Sequence, residues 1–490
     1  MAESPRFSFQ PLERRGIILG LGAGQLVTIA VGMVLALAVH ATLGGSPGAI
    51  LAVAVAAGTM AASLWSRAGR PVIGWAAVGL DWVHRRGGRS ILSPAPLTGT
   101  RSGPAPARPG PGRGRWGRPV APGEQRSLPP VPLVPGRTPL PAGIEVVGVT
   151  GSPAGDGYGA VRDRRAGSWS AVLPVTGHPF SLLDPAEQLQ QLDAWRSVLA
   201  AVARPESPVL RLQWVRRSGP PGREGDVGAA PPPGWDGDVP VVPAATGAAR
   251  RDYRALLEAA APATRRHDTW LAVTVRPDRG RRPGAAPEAL GRELRFLEGQ
   301  LRQADLEPGP PLDAGQLRRL LGCNSLAVRQ TWSAVQVDGD WHATYWVAEW
   351  PRVGVGPGFL LPLLIGSGRR TVSAVMAPVP AERALREVRS ARTADLADAE
   401  IRSRAGFLPS ARRDREAEGA TRREHELADG HVEYRFSAYV SVAAAAPDAL
   451  ALACAELEQA AQAARLELRR LYGRQAEALA WTLPIGRGLR

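Results

Sequence analysis

The chain of 490 residues contains no lysine, so all 60 of its basic residues are arginine. A nucleotide-binding P-loop requires the pattern GxxxxGK[ST], because its lysine reaches the terminal phosphates. The absence of lysine therefore excludes that motif. Residues 112–117 (GRGRWG) match the dinucleotide pattern GxGxxG by letter. They lie in a proline-rich stretch rather than between a strand and a helix, so we interpret the match as chance.

Cysteine and histidine are scarce, which narrows the chemistry further. The two cysteines, Cys323 and Cys454, lie in apolar helical contexts without CxxC spacing, and we expect small core residues in a reducing compartment. His425 and Glu426 begin like a zinc-binding HExxH, but Asp429 stands where the second histidine is needed. No GxSxG nucleophile elbow occurs. The sequence predicts no catalytic residue, no metal ligand and no cofactor, and thus a protein that is not an enzyme.

The formal net charge is +15, which raises the question of a phosphate-bearing partner, since arginine grips phosphate bidentately. The arginines of residues 383–426 are interleaved with aspartate and glutamate. That pattern favours a solvated, ion-paired helical surface over a nucleic-acid groove. A surface between subunits is also compatible, and nucleic acid is a possible partner that the pattern does not favour.

Aspartate, glutamate and arginine are absent from two apolar runs near the start of the chain, residues 16–43 and 48–65. A membrane-spanning helix needs roughly 20 apolar residues. The first run exceeds the length of a signal-peptide core, about 7–15 residues, and a second run follows directly. With Gly44–Pro47 as the connecting turn, the runs predict a two-helix transmembrane hairpin.

Arginines flank the predicted hairpin on both sides, while its connecting turn carries no charge. The positive-inside rule therefore predicts two spans in the cell (inner or plasma) membrane with both termini cytoplasmic. Gly16, Gly20 and Gly24 recur every four residues on one helix face. Such a row of small residues lets another helix approach closely, so these three glycines are the candidate helix-packing residues. The alternative is that glycine is simply frequent in this chain.

After the hairpin, residues up to 90 include an amphipathic segment, 71–86, with Trp75 and Trp82. This segment suits either a helix in the headgroup region or the buried first helix of the cytoplasmic part. Residues 91–142 are rich in proline, glycine and arginine and predict a disordered linker.

Ordered patterns then predict two cytoplasmic α/β units. The first unit, residues 143–330, alternates strand and helix patterns and contains a proline- and glycine-rich insertion at 219–247. This rhythm suggests β-α-β units in a layered domain. Its predicted elements are strands at 144–150, 157–163, 169–175, 209–217 and 269–275, and helices at 184–203, 248–263 and 287–304.

The second unit, residues 331–490, begins with a β-hairpin whose turn is Asp338-Gly339. Residues 370–379 and 431–442 read as strands, and the alternation of the latter places Phe436 and Val440 on a buried face. Charged helices are predicted at 382–404 and 411–429, the second closed by Gly430. A long amphipathic helix is predicted from Asp448 to Gly473. The fold class is thus a membrane-anchored α/β (α+β) chain with a transmembrane hairpin, a linker and mixed α/β domains.

The order of these segments resembles a known family. The segments are the two-span hairpin, WSAVQVDGDWHATYWVAEWPR (332–352), RSARTADLADAEIRSRAGFLPSARRDRE (389–416), HVEYRFSAYVSV (431–442) and LYGRQAEALAWTLPIGRGLR (471–490). This layout looks like an actinobacterial membrane protein found with type IV secretion (conjugation) machinery. The hairpin is similar to the small inner-membrane subunit of the VirB-three and PrgI type. The remainder resembles the amino-terminal, non-nucleotide-binding part of the conjugation ATPase of the VirB-four and TraC type.

The resemblance implies a non-catalytic structural or docking component of an inner-membrane apparatus. Its implied partners are a secretion ATPase supplied by another chain, other inner-membrane subunits, the lipid bilayer and a further copy of itself. Two alternatives stay open: a membrane subunit of another actinobacterial export system (type VII, EccE-like), and a membrane-tethered, arginine-rich DNA-binding protein. The sequence leaves the oligomeric state, the identity of the partners and the cargo open.

Overall fold

A computed structural model of the chain describes seven stretches, together with scattered residues between 66 and 94. The stretches are 23–64, 137–149, 157–219, 266–276, 285–322, 328–404 and 411–489, without residues 142, 178, 179, 352 and 367. The predicted helix 248–263 and Cys323 lie outside the described residues.

Two antiparallel helices, α1 (Ala23–Leu43) and α2 (Gly45–Leu64), begin the described chain. The predicted four-residue turn is wrong, because only Gly44 separates them and Ser46 and Pro47 belong to α2. Gly44 and Gly45 have φ values of 57° and 59°, which a residue without Cβ adopts freely, and proline is accepted in the first turn of a helix. The chain therefore reverses within a single residue.

One sheet of twelve strands forms the centre of the rest of the molecule, and every neighbouring pair of its described strands is antiparallel. The strands are β1 (Ile144–Val149), β2 (Tyr158–Asp163), β3 (Ser168–Gly177), β4 (Val209–Gly219), β5 (Arg266–Val275), β6 (Leu306–Pro308), β7 (Val328–Gln330), β8 (Val335–Val337), β9 (Asp340–Glu349), β10 (Arg369–Val379), β11 (Glu433–Ala444) and β12 (Glu467–Arg470). The helices are α3 (Pro185–Val202), α4 (Ala285–Gln303), α5 (Ala314–Leu320), α6 (Leu361–Leu364), α7 (Ala381–Arg404), α8 (Ala411–Ala428), α9 (Pro447–Ala463) and α10 (Gln475–Trp481).

The order of the strands reveals an internal duplication. Across the sheet they run β7-β8-β9-β11-β10-β4-β5-β3-β2-β1, with β6 beside β3 and β12 beside β9. The first repeat contains β6-β3-β5-β4 side by side, and the second contains β12-β9-β11-β10. Numbered within each repeat, both orders are 4-1-3-2, which is the split β-α-β arrangement. The repeats meet where β4 pairs with β10, from Leu212 opposite Met376 to Ser218 opposite Arg370.

Local sequence supports the duplication. Gly167-Ser168-Trp169-Ser170-Ala171 at the start of β3 matches Gly339-Asp340-Trp341-His342-Ala343 at the start of β9. Pro287-Glu288-Ala289-Leu290 in α4 matches Pro447-Asp448-Ala449-Leu450 in α9. Each of these helices is followed by a left-handed residue, Asp305 (φ 55°) or Arg465 (φ 57°). The predicted units 143–330 and 331–490 each hold one repeat, and the two share one sheet.

The predicted β-α-β units imply parallel neighbours, and that part of the prediction is wrong. The crossover from β3 through α3 to β4 skips one position, which β5 fills with an antiparallel pair on each side. A parallel β-α-β unit and a split one have the same local periodicity. The sequence pattern therefore does not predict that β5 lies between β3 and β4.

Several predicted elements are confirmed with their terminal signals. Asp184 caps α3 in a capping box with Glu187. Asp338 and Gly339, with φ of 49° and 94°, form the turn between β8 and β9, and Gly430 ends the second charged helix with φ of 85°.

A further prediction is wrong, and another is wrong at the ends of its range. The helix predicted to run from Asp448 to Gly473 ends at Ala463, and β12 follows it. The left-handed Arg465 reverses the chain there, and Leu466 is buried after the turn. In the predicted linker 91–142, Arg137–Pro141 pairs with Leu92–Pro94 and Leu140 enters the core.

Both faces of the sheet are covered, which sets the burial of every strand. On one face α3, α4 and α9 cover the apolar side chains of both repeats. On the other face α5, α10 and the C-terminal segment (residues 482–489) close the core. Val440 is fully buried as predicted, but Phe436 is only half-buried, with its ring 5.2 Å from that of Trp350.

Candidate functional site

The predicted helix-packing glycines lie mostly outside the part of the hairpin that the structure describes. Gly16 and Gly20 lie outside the described residues, and Gly24 lies in α1. The close approach occurs at Gly32, where an added Cβ would lie 2.3 Å from Thr59 Oγ1. Gly32 continues the same four-residue spacing through Thr28. Extending the row by two steps would have found it.

The outer surface of the hairpin is an apolar belt. Large side chains such as Val31, Val34, Leu37 and Ile50 are exposed around the two helices. Among the described helices, the stretch Gly45–Ser63 is long and apolar enough to cross a membrane, while the apolar stretch Val27–Leu43 of α1 is shorter. By length and composition alone this indicates one candidate span.

The segment after the hairpin packs against the second repeat through an aromatic dock, which we define as Trp75, Trp82, Trp332 and Tyr472. The rings of Trp75 lie 6.1 Å from Trp332 and 5.5 Å from Tyr472. The ring of Trp82 meets Trp332 edge-on at 5.8 Å, and Trp332 stacks on Tyr472 at 6.2 Å. These centroid distances are those of favourable aromatic pairs.

Backbone shape makes room for the dock. An added Cβ at Gly473, whose φ is 72°, would lie 3.0 Å from the Trp332 ring and 3.1 Å from Val78. Val78 is buried in this contact, whereas Leu80 and Val83 of the same segment are exposed. Of the two predicted roles for residues 71–86, the contacts of Trp75, Val78 and Trp82 fit a segment that packs on the second repeat.

A buried glutamine organises the face of the sheet opposite α3, α4 and α9. Gln213 of β4 donates to Ser373 Oγ at 2.8 Å, to the Trp481 carbonyl at 3.0 Å and to the Leu483 carbonyl at 2.8 Å. Its Oε1 accepts from the Gly486 amide at 2.7 Å. Because Ser373 also donates to the Trp481 carbonyl, the seam between the repeats and the C-terminal segment form one buried polar network.

Beside this network lies a cavity of about 370 Å³. Its lining residues are Arg165, Ala166, Arg211, Trp481, Arg487, Gly488 and Leu489. Arg211 donates to the Gly486 carbonyl at 2.8 Å, and Arg487 bonds Asp163 at 2.6 Å. The cavity is therefore lined by three arginines, two of them held in fixed orientations.

Electrostatics at the cavity follow from burial and from its arginines. Burial alone would raise the pKa of Asp163, but Arg487 and the amides of Arg165 and Ala166 outweigh it and lower that pKa. Burial lowers the pKa of Arg211, and the positive charges of Arg276 and Arg487 lower it further. The negative charge of Asp163 acts in the opposite direction and raises the pKa of Arg211.

The charged helices α7 and α8 form an arm beside the sheet. Arg392 bonds Glu424 across the two helices, and Arg435 of β11 bonds Glu387 at 2.7 Å. Arg423 bonds Glu433 at 3.0 Å. The first ion pair joins α7 to α8, and the other two join the arm to β11.

Residues that could carry catalysis stand apart. Within the described stretches no group of three or more histidine, cysteine, aspartate or glutamate side chains could hold a metal ion. Cys454 is buried in the core of the second repeat. Tyr158 donates to the Pro287 carbonyl at 2.6 Å, and burial raises its pKa to about 12. These are structural roles.

Comparisons of the chain with family models and with curated proteins each found no match.

Proposed function

We propose that the chain is a non-catalytic, membrane-anchored docking subunit of an export apparatus of the type IV secretion or conjugation kind. The observation that carries the proposal is the aromatic dock, because it fastens the segment that follows the apolar hairpin to the second repeat. Ten residues lie between Leu64, the last residue of α2, and Trp75, so the dock lies within about 40 Å of the hairpin even for an extended chain.

Such a short tether holds the sheet next to the membrane and supports a subunit whose neighbours occupy the same membrane. The apolar belt of α1 and α2 suits lipid or other membrane helices. The ion-paired arm of α7 and α8 offers a polar surface to a cytoplasmic neighbour. The partners we propose are a secretion ATPase supplied in trans, other inner-membrane subunits and the lipid bilayer, with self-association as a further contact.

Co-purification tests the proposal. The tagged full chain is extracted from its native membranes in a mild detergent, and bound proteins are identified by mass spectrometry. We expect a conjugation-type ATPase and inner-membrane subunits to be recovered. Recovery of type VII components instead would replace the proposal with the EccE-like alternative, and a salt-dependent DNA shift with no protein partner would favour a DNA-binding protein.

A variant of the dock connects the partners to the observation. Trp82→Ala removes a ring that contacts Trp332 and should reduce the recovered partners severalfold while the chain stays in the membrane fraction. Leu80→Ala, an exposed change on the same segment, is the matched control and should leave recovery unchanged. Equal recovery with both variants would show that the dock does not position the partners.

A further inference from the structure

The arginine-lined cavity beside the C-terminal segment differs in charge from the matching position in the described part of the second repeat. The register of the sheet shows which positions of the two repeats correspond. Arg211 pairs with Thr274, which pairs with Ser170. In the second repeat Arg369 pairs with Ala443, which pairs with His342. Because Ser170 and His342 match within the two GxWxA sequences, Arg369 occupies the place of Arg211.

The two arginines differ in their counter-charges. Arg369 forms an ion pair with Asp340 at 2.7 Å. The residue that matches Asp340 in the first repeat is Ser168, which carries no charge. Arg211 instead donates one bond to the Gly486 carbonyl, and its buried Nε has no hydrogen-bond partner among the described residues. The duplication thus supplies an internal reference in which the carboxylate is present.

The turns that precede β3 and β9 also differ in charge, and the turn of the first repeat is again the more positive. The second repeat turns through Asp338-Gly339, whereas the first turns through Arg164-Arg165-Ala166-Gly167 and brings Arg165 to the cavity. The nearby carboxylate, Asp163, already accepts from Arg487 and from the amides of Arg165 and Ala166. The three lining arginines therefore outnumber the carboxylates around the described cavity.

We propose that this cavity binds a phosphate-bearing anion through Arg165, Arg211 and Arg487. Guanidinium groups match the geometry of phosphate oxygens, and the orientations of Arg211 and Arg487 are already fixed by Gly486 and Asp163. The volume of about 370 Å³ admits a phosphate together with the group that carries it. The same chemistry is offered by a free phosphate compound and by the headgroup of an anionic lipid. This inference goes beyond the proposed export role and does not depend on it.

Binding is measured on the full chain in an uncharged detergent by titrating pyrophosphate at constant ionic strength. We expect a saturable signal with the unaltered protein. Arg165→Gln, a change in an exposed turn, should weaken binding about tenfold, as expected for loss of one charge-assisted contact. Arg164→Gln is the matched control for charge, because its exposed side chain pairs with Glu145 and does not line the cavity.

Arg211→Gln and its counterpart Arg369→Gln form a second matched pair. Loss of binding in the first and retention in the second supports the cavity even if both variants are less stable. Repeating the series in nanodiscs with and without phosphatidic acid distinguishes the sources, because a lipid headgroup would compete with pyrophosphate. Absence of saturable binding to pyrophosphate and to phosphatidic acid, or equal weakening by both members of a pair, would overturn the proposal.

Discussion

At the scale of single residues, the glycine spacing in α1 predicts a packing face but not where along that face the contact lies. Gly16, Gly20 and Gly24 fit the pattern of a packing face, and their row continues to Gly32, which contacts Thr59. The sequence indicates the face of α1. It does not indicate the depth at which α2 crosses it, because that depth depends on the one-residue turn at Gly44.

Gly32→Leu tests this contact. Even a Cβ would overlap Thr59, so the side chain must separate α1 from α2, and we expect a loss of about 1–3 kcal/mol. Unfolding of the detergent-solubilised chain by added dodecyl sulfate measures the change. Gly58→Leu is the matched control, since an added Cβ there meets nothing within 4 Å. Equal losses in the two variants would contradict the contact.

His342 gives a prediction about acid stability. Burial lowers its pKa from 6.5 to about 4, and the neighbouring charge of Arg369 acts in the same direction. The folded protein therefore resists protonation that the unfolded chain accepts below pH 6.5. Stability is retained above that pH and falls by about 1.4 kcal/mol per pH unit towards the folded pKa.

Denaturant unfolding at several pH values between 7 and 4.5 measures this loss. His342→Gln should show a shallower decline than the unaltered chain. His431→Gln, at an exposed position, is the matched control for the substitution itself. Parallel curves for the unaltered chain and His342→Gln would show that the imidazole titrates normally.

At the scale of elements, period and caps predicted most strands and helices, but packing decided the rest. Asp184-Pro185-Ala186-Glu187 marks the start of α3 because all of its signals are local. Ala464, Leu468 and Leu471 fit the helical spacing of α9, yet the left-handed Arg465 ends the helical stretch and Glu467–Arg470 forms β12. Arginine rarely adopts that conformation, so the residue type at position 465 does not predict the turn. Phe436 likewise packs against a residue distant in sequence, Trp350. No local pattern predicts that these two rings meet.

The seam between β4 and β10 offers a test at this scale. Gln213→Leu would leave the Leu483 carbonyl and the Gly486 amide without the bonds that the buried amide provides. We expect a loss of about 3 kcal/mol and faster proteolysis of the C-terminal segment. Gln336→Leu, on an exposed bond to Gly339, is the control and should change stability by less than about 0.5 kcal/mol. A similar small loss for Gln213→Leu would mean that the network adds little.

At the scale of the whole molecule, the duplication is only weakly visible in the sequence. The paired GxWxA and Pro-acidic-Ala-Leu sequences were available as signals. Few identities connect them, since each repeat needs only apolar residues at matching positions. Local patterns do not predict the arginine-lined cavity either, because Arg165, Arg211 and Arg487 come from distant parts of the chain.

Topology is predicted at this scale too. Both flanks of the hairpin carry arginine and the turn carries no charge, so reporters fused at residues 46 and 142 should report opposite sides of the membrane. Alkaline phosphatase and green fluorescent protein fusions measure the two compartments. A fusion at residue 10 serves as the control and should match residue 142. The same side for residues 46 and 142 would contradict a hairpin.

The shared sheet also sets a distance. The dock residue Trp332 precedes β8 and the cavity residue Arg165 precedes β3, and six strand intervals separate β8 from β3. At about 4.8 Å per interval, they stand roughly 29 Å apart. An antiparallel sheet covered on both faces changes its width very little. The fused repeats therefore act as a rigid spacer, which would keep a ligand bound in the cavity at a fixed offset from the aromatic dock.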